Sequence, residues 1–353
     1  MQIAIGVGGA ASGRDRDWED QVEFVVEAEK LGADFVWTAE AWGHDAVTPL
    51  AFLAARTSRI RLGTGIMQLS ARTPSMTAMT ALTLAAISND RFVLGLGASG
   101  PQVVEGLQGQ PFARPLQRMR ETIDIVRLAF AGEKLQYEGK QLRLPRPGGE
   151  GKALRLSQPG NENIPIYLAT LSPKALELTG ELADGWIGTS FTPEHAEAFM
   201  PHLAAGAEKA GRRVADLDLQ VGGSVEFGDD VERMIAARKP ATAFTLGAMG
   251  SGKTNFYNDA YKRGGWADAA IEVQRLWLDG KREQAARRVP DEMVLQTHLI
   301  GSEDRVRERI RSYRDCGATT LRLAPGGPDL AARLDTLGRA IALVRQLDAE
   351  AKA

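Results

Sequence analysis

IRLGTGIMQLSARTPSMTAMTALTLAAISNDRFVLGLG, residues 60–97, decides the architecture. Residues 60–67 and 92–97 are short apolar runs without alternation, the pattern of strands buried on both faces. Between them, residues 74–88 read as a helix, with Thr73 as its N-cap and Pro74 at the first helical position, where the missing N–H costs nothing. The result is a strand–helix–strand unit, the building block of a parallel sheet.

The same unit repeats outward in both directions. Towards the N-terminus come strand 2–7, helix 17–32, strand 34–38 and helix 46–57, the last starting near Thr48-Pro49. Val22, Val25, Val26 and Ala28 share one helical face, and Gly32 is a natural residue to end that helix. Towards the C-terminus come helix 115–131, strand 164–168, helix 172–183, strand 185–188, helix 193–211 and strand 217–225. A helix-rich tract over 229–315 follows, then strand 319–323 and helix 329–349. Residues 132–163, rich in Gly, Pro and charge, break the rhythm and read as an insertion, a hairpin over one end of the fold. Residues 240–290 read as a second, helix-rich insertion before the last strand. Eight strand-plus-helix units over 353 residues favour one α/β domain, a (β/α)8 TIM barrel with insertions, over an open doubly wound sheet.

Composition excludes several classes. Lys plus Arg is 43 and Asp plus Glu 45, a net of −2, which leaves no basic footprint for nucleic acid or a membrane surface. One cysteine, Cys316, rules out an intramolecular disulfide framework. No stretch approaches the ~20 apolar residues of a membrane span, and the N-terminal run lacks a basic leader. The expectation is a cytoplasmic enzyme of small molecules, assembled as a homodimer or higher homo-oligomer. None of the four histidines, His44, His195, His202 and His298, is paired at helical ligand spacing, so no metal site is expected.

Three glycine-rich matches carry competing readings. Gly6-Val7-Gly8-Gly9-Ala10-Ala11 fits a dinucleotide fingerprint, but five residues intervene before a helix can open onto a pyrophosphate. Gly95-Leu96-Gly97-Ala98-Ser99-Gly100 fits it literally, but Pro101 follows and no helix opens for a dozen residues. It reads better as a loop at the end of strand four that lets a ligand approach. Gly247-Ala248-Met249-Gly250-Ser251-Gly252-Lys253-Thr254 fits the P-loop pattern, which would make the protein a nucleotide-binding ATPase. That mechanism needs a strand before the loop and an Asp ending a second strand. No apolar run ends in such an Asp, so a glycine-rich rim loop is expected. The turn Ala169-Thr170-Leu171-Ser172 ends a strand and opens a helix at Pro173. It can serve as an ordinary cap or as an anion site.

The block at 61–106, the block IPIYLATLSPKALELTGELADGWIG at 164–188 and the block at 289–323 together resemble the luciferase-like flavin and deazaflavin oxidoreductases. The likeness runs over nearly the whole chain and is greatest to the deazaflavin branch that includes methylenetetrahydromethanopterin reductase. The resemblance implies a TIM barrel whose cofactor, coenzyme F420 (with FMN as the alternative), lies at the C-terminal face. It implies a cis peptide at Gly65–Ile66 behind the ring, with Thr38, Glu40, Met67 and Gln68 near it. It places Ala98, Ser99, Gly100 and Val103 over the ring system. It places Ala169, Thr170, Leu171 and Ser172 on the cofactor phosphate, with Gly188 and Thr189 close by. Glu40, His44 and Gln68 are the candidate catalytic residues, and Trp42 joins them on the substrate side. The family's sugar-phosphate dehydrogenases carry a His and a Glu where this chain has Ala41 and Gly100, which argues against sugar-phosphate oxidation. The methanopterin reductase's strand-one Glu corresponds to Gly6. The implied activity is hydride transfer between the cofactor and an organic substrate. The FMN alternative is a monooxygenase that needs oxygen and a reductase partner.

Overall fold

The computed structural model describes residues 1–8 and 18–351. Eight parallel strands close on themselves: β1 (Gln2–Gly8), β2 (Phe35–Ala39), β3 (Arg61–Thr64), β4 (Phe92–Gly97), β5 (Ile166–Leu168), β6 (Gly185–Ile187), β7 (Asp218–Phe227) and β8 (Thr320–Pro325). Closure runs from β8 to β1 through Gln2 opposite Thr320, and from β6 to β7 through Gly185 opposite Asp218. Two apolar layers result. The outer one packs helices on strands, with Phe24, Leu50, Leu62 and Leu94 in it. The inner one fills the barrel with Ala4, Phe35, Trp37, Val93, Tyr167 and Ile187.

The helix signals read from the sequence work as expected in several places. Thr73 caps α3 (Pro74–Ile87), its hydroxyl accepting from Met76 N at 3.3 Å. Gly32 takes φ 107° just after α1 (Trp18–Leu31), a conformation open to glycine. At α2 (Val47–Arg56) the cap is made by Asp45, whose carboxylate accepts from the amides of Val47 and Thr48, both at 2.8 Å.

Five expectations need correction. A short helix, Gln102–Leu107, opens directly after Pro101, where none was expected for a dozen residues. The run 60–67 is two strands, Arg61–Thr64 and Met67–Gln68, because the chain kinks between them at the cis peptide Gly65–Ile66. The helix expected over 193–211 is a 3-10 turn, Pro193–Ala198, followed by α6 (Met200–Lys209). His195 at φ −126° interrupts it. His195 is half-buried there and packs edge-on against Trp266. The helix-rich excursion is wider than 240–290. It begins with α7 (Val231–Ala248) and ends with a short helix at Asp291–Thr297, and it carries an apolar cluster of its own around Met234, Leu246, Val273 and Met293. The tract 229–315 also contains a strand, Leu299–Gly301, which extends the sheet from the far end of β7 at 225–227.

The insertion at 132–163 includes a hairpin, Tyr137–Glu138 against Arg143–Leu144, as expected. Its anchor is Glu121 on α4 (Pro115–Phe130), which has no exposed surface. That carboxylate accepts from the amides of Lys140 (2.7 Å), Gln141 (3.0 Å) and Leu142 (2.7 Å), and from the Gln117 side chain (2.7 Å). Burial alone would raise its pKa. The four hydrogen bonds outweigh burial and hold it below the usual glutamate value.

Candidate active site

A cavity of about 1250 Å³ opens at the C-terminal ends of β2, β3, β4 and β5. Its floor includes Gly65 and Ile66, its sides Gly97, Ala98, Ser99, Gly100 and Val103, and its far wall Ala169, Thr170, Leu171 and Ser172. The glycines keep this wall at backbone height. A Cβ on Gly97 would lie 2.8 Å from the Ile66 side chain, and one on Gly95 would lie 1.8 Å from the Thr64 carbonyl oxygen. Ser99 turns the loop with φ 58°, a left-handed conformation few side chains adopt.

The phosphate candidate has a specific geometry. Ser172 precedes α5 (Pro173–Leu182) in an extended conformation, and its hydroxyl makes no capping bond. The ordinary-cap reading therefore does not account for that side chain. Both Ser172 and Ala175 line the cavity, so the open end of the helix faces it. The turn is held from behind. Thr170 Oγ1 bonds Thr179 Oγ1 at 2.7 Å, and Trp186 Nε1 donates to the Thr170 carbonyl at 3.0 Å. Arg263 donates to the Leu171 carbonyl at 2.6 Å.

Glu40 also borders the cavity, yet its carboxylate is already engaged. Oε1 accepts from Gln68 N at 2.9 Å and pairs with Arg72 at 2.5 Å, and Oε2 accepts from Ala46 N at 3.2 Å. Gln68 is 2% exposed and equally committed. Its amide donates to the carbonyls of Glu40 (2.9 Å) and Ala41 (3.2 Å), and its oxygen accepts from Gln108. These two expected catalytic groups tie the ends of β2 and β3 together and leave no free donor at Gln68. His44 stands outside the cavity lining, its ring edge-on against Trp18 at 4.8 Å. Thr38 and Met67 are buried, Thr38 Oγ1 donating to the Ala46 carbonyl at 2.7 Å. Gly188 and Thr189 follow β6, and Gly188 N donates to the Gln220 carbonyl at 2.9 Å. Neither lines the cavity.

Sequence reasoning missed several groups that reach the cavity from the loop before α4 and from the two excursions. Lys140 comes from the hairpin that Glu121 anchors, and Arg114 from the left-handed residue ahead of α4. Phe244, Phe256 and Tyr257 come from the helix-rich tract, whereas Met249, also in the lining, belongs to the stretch expected as a rim loop. No periodicity marks these positions, because each reaches the cavity through a loop or helix packed from far along the chain. The stretch 247–254 is not a nucleotide cradle. Its first two residues end helix α7, so no strand precedes it, Gly247 packs on Trp277, Lys253 is exposed, and the Gly250 carbonyl accepts from Gln102 at 2.8 Å on the cavity rim. Of the first glycine-rich match, Gly9, Ala10 and Ala11 lie outside the described residues.

Among the described residues no cluster of three metal-ligating side chains forms, and no helix is long and apolar enough to cross a membrane.

With this geometry the likenesses to known proteins take on meaning. The model of the luciferase-like monooxygenases matches residues 2–320. Over 319 residues the chain is 41% identical to a protein named as a coenzyme F420-dependent oxidoreductase of Mycobacterium tuberculosis, covering 88% of this chain and 92% of that one. Over 335 residues it is 30% identical to 5,10-methylenetetrahydromethanopterin reductase of Archaeoglobus fulgidus, covering 91% and 94%. The solved coenzyme F420-dependent tetrahydromethanopterin reductase of Methanopyrus kandleri shares the fold, with a TM-score of 0.80 over 97% and 98% of the two chains at 22% identity. Barrel, cavity and matched span agree, and the chain is an enzyme belonging to the luciferase-like monooxygenase family.

Proposed function

We propose that this enzyme transfers a hydride between coenzyme F420 and a small organic substrate. The observation that carries the reading is the cavity itself. One wall is built from backbone and small side chains, and it runs from Gly65 and Ile66 past the loop at 97–100 to the open end of α5. That shape suits a flat ring system with an anionic tail. When bound, the deazaflavin supplies the hydride chemistry. Residues Gly65, Ile66, Ala98 and Val103 would hold the ring. Ser172 and the α5 amides would hold the phosphate, where the helix dipole favours negative charge. Arg114 and Lys140 at the mouth offer cations to the rest of the tail.

The remaining residues position and dry the site. Trp42 and Phe244 meet at a tilt with ring centroids 6.4 Å apart, and Phe112 and Phe256 likewise at 6.3 Å, two aromatic pairs that line the cavity. Covering the ring keeps water from competing with the substrate. Glu40 and Gln68 act through the backbone, fixing the strand ends against which the ring would lie. The test is side-by-side titration of the purified protein with coenzyme F420 and with FMN, read by fluorescence. Saturable binding of the deazaflavin in preference to FMN is expected. Preference for FMN, with oxygen consumed on reduction, would establish the monooxygenase alternative.

A further inference from the structure

Among the described residues, Arg322 is a cation of the barrel interior with neither a hydrogen bond, an ion pair nor an aromatic ring facing it. On β8, Leu321 and Leu323 are buried in the outer layer, so Arg322 between them points the other way, into the barrel. The register agrees: Arg322 lies opposite Ala4 on β1 and Gly222 on β7, and Ala4 belongs to the inner layer. The polar groups nearby satisfy one another. Asp218 accepts from Tyr167 (2.7 Å), Gln220 (2.8 Å) and Thr320 (2.8 Å), and Gln220 accepts from Trp37 (2.8 Å). Glu226, farther along β7, is held by Arg233 (2.6 Å) and Arg238 (2.9 Å). Arg322 makes no hydrogen bond or ion pair to any described residue.

Its surroundings are those of a chamber rather than a packed core. Burial pushes the Arg322 guanidinium down to about 10, opposed only by the Tyr257 phenol. Yet Arg322 keeps accessible surface, as Tyr257 does, and Tyr257 borders the cavity. Arg322 is not itself among the residues that line the cavity, and Tyr257, whose phenol acts on the guanidinium, links the two. On the neighbouring strand, a Cβ added at Gly6 would meet nothing closer than the Trp37 carbonyl oxygen at 3.8 Å, so there is room beside it. A desolvated guanidinium is costly unless an anion meets it, and its planar fork matches a carboxylate through two parallel hydrogen bonds.

We infer that the substrate carries a carboxylate, and that Arg322 receives it inside the barrel with the Tyr257 hydroxyl as a second donor. The site holds one positive charge, which neutralises a monoanion and leaves a phosphate dianion undercompensated. It is separate from the phosphate turn, since β6 and β7 stand between β8 and β5. The inference deepens the proposed hydride transfer by naming the substrate class, and it rests on that reading.

The test measures binding of benzoate and hexanoate, their uncharged amides, and phenyl phosphate to the parent, Arg322→Gln and Tyr257→Phe, by calorimetry with and without coenzyme F420. The parent should prefer each carboxylate to its amide by about tenfold or more, the worth of a charged hydrogen bond. R322Q should lose that preference, and Y257F should lose part of it. Deazaflavin affinity should be unchanged in R322Q. Removal of an unpaired buried charge should leave the R322Q melting temperature level with the parent or above it. Equal binding of acid and amide by the parent, a preference that survives in R322Q, tighter binding of phenyl phosphate, or a large fall in R322Q stability would each overturn the inference. Failure of deazaflavin binding in the parent would instead refute the cofactor reading, because the carboxylate preference is also measured on the cofactor-free protein.

Discussion

Glu40 stands at the cavity edge, where a carboxylate invites a chemical role, but its bonds say that it is a brace. Replacing it with alanine orphans two backbone amides, Gln68 N and Ala46 N, and strips Arg72 of its partner. The side chains of the pair are 8% and 19% exposed, so water replaces the lost partner only at Arg72. Each orphaned amide costs about 1–3 kcal/mol, taken at the low end because the loop can relax. Breaking a fully buried pair costs about 3–5 kcal/mol, and partial hydration of Arg72 reduces that. The total is on the order of 3–5 kcal/mol. With an unfolding entropy of ~2.1 cal/mol/K per residue over a chain this long, that lowers Tm by roughly 4–7 °C. Glu40→Gln should fall between parent and alanine, since its carbonyl can still accept from Gln68 N while its NH2 faces donors. The assay is thermal unfolding at matched concentration, followed by cofactor titration and turnover. If both variants melt with the parent while turnover collapses and cofactor affinity holds, Glu40 touches the reaction and the brace argument is wrong.

Leu171→Asp places a carboxylate against the proposed phosphate. At ~4 Å and an effective dielectric near 20 the repulsion is about 4 kcal/mol before screening, so deazaflavin affinity should drop several-fold at low salt and recover partly in high salt. Unchanged affinity would put the phosphate elsewhere. His298 is buried beside Arg238, and burial first, then that charge, pushes its pKa down to about 4. Its Nδ1 accepts from Ser224 N at 3.1 Å, so the folded state wants it neutral. The unfolded chain takes up the proton below about 6.5. Stability is therefore intact above that pH and falls by on the order of 3 kcal/mol as the pH drops towards 4. Denaturant melts of parent and His298→Asn across that window should differ in slope, and parallel curves would remove His298 from the acid sensitivity. Gly95→Ala drives a methyl into the Thr64 carbonyl oxygen at 1.8 Å, where Thr64 Oγ1 also bonds Gly95 N and O. Destabilisation of roughly 4 kcal/mol or more is expected, and soluble yield with a parent-like melt would show that the strands can separate there.

The alternation of short doubly buried runs with amphipathic ones was enough to read the barrel, because strand and helix periods are local properties of the chain. Thr73-Pro74 and Gly32 were legible for the same reason, each answering a need of its own backbone, whereas the glycines at 95 and 97 make room for Thr64 and Ile66 across the sheet. The cis peptide at Gly65–Ile66 was legible only through likeness to a family, and only that likeness proposes the turn at 169–172 for the cofactor phosphate. Tertiary structure alone decided what the polar side chains do. Glu40 and Gln68 sit where a catalytic pair was expected, but their hydrogen-bond capacity is spent on amides and carbonyls 28 residues or so away. Lys140 reaches the cavity only because Glu121 captures the hairpin, and Tyr257 only because the tract after β7 folds back over the mouth. Arg322 looks in the sequence like one more strand residue between leucines. Its lack of a partner is a property of the closed barrel, in which the charges of neighbouring strands are already satisfied.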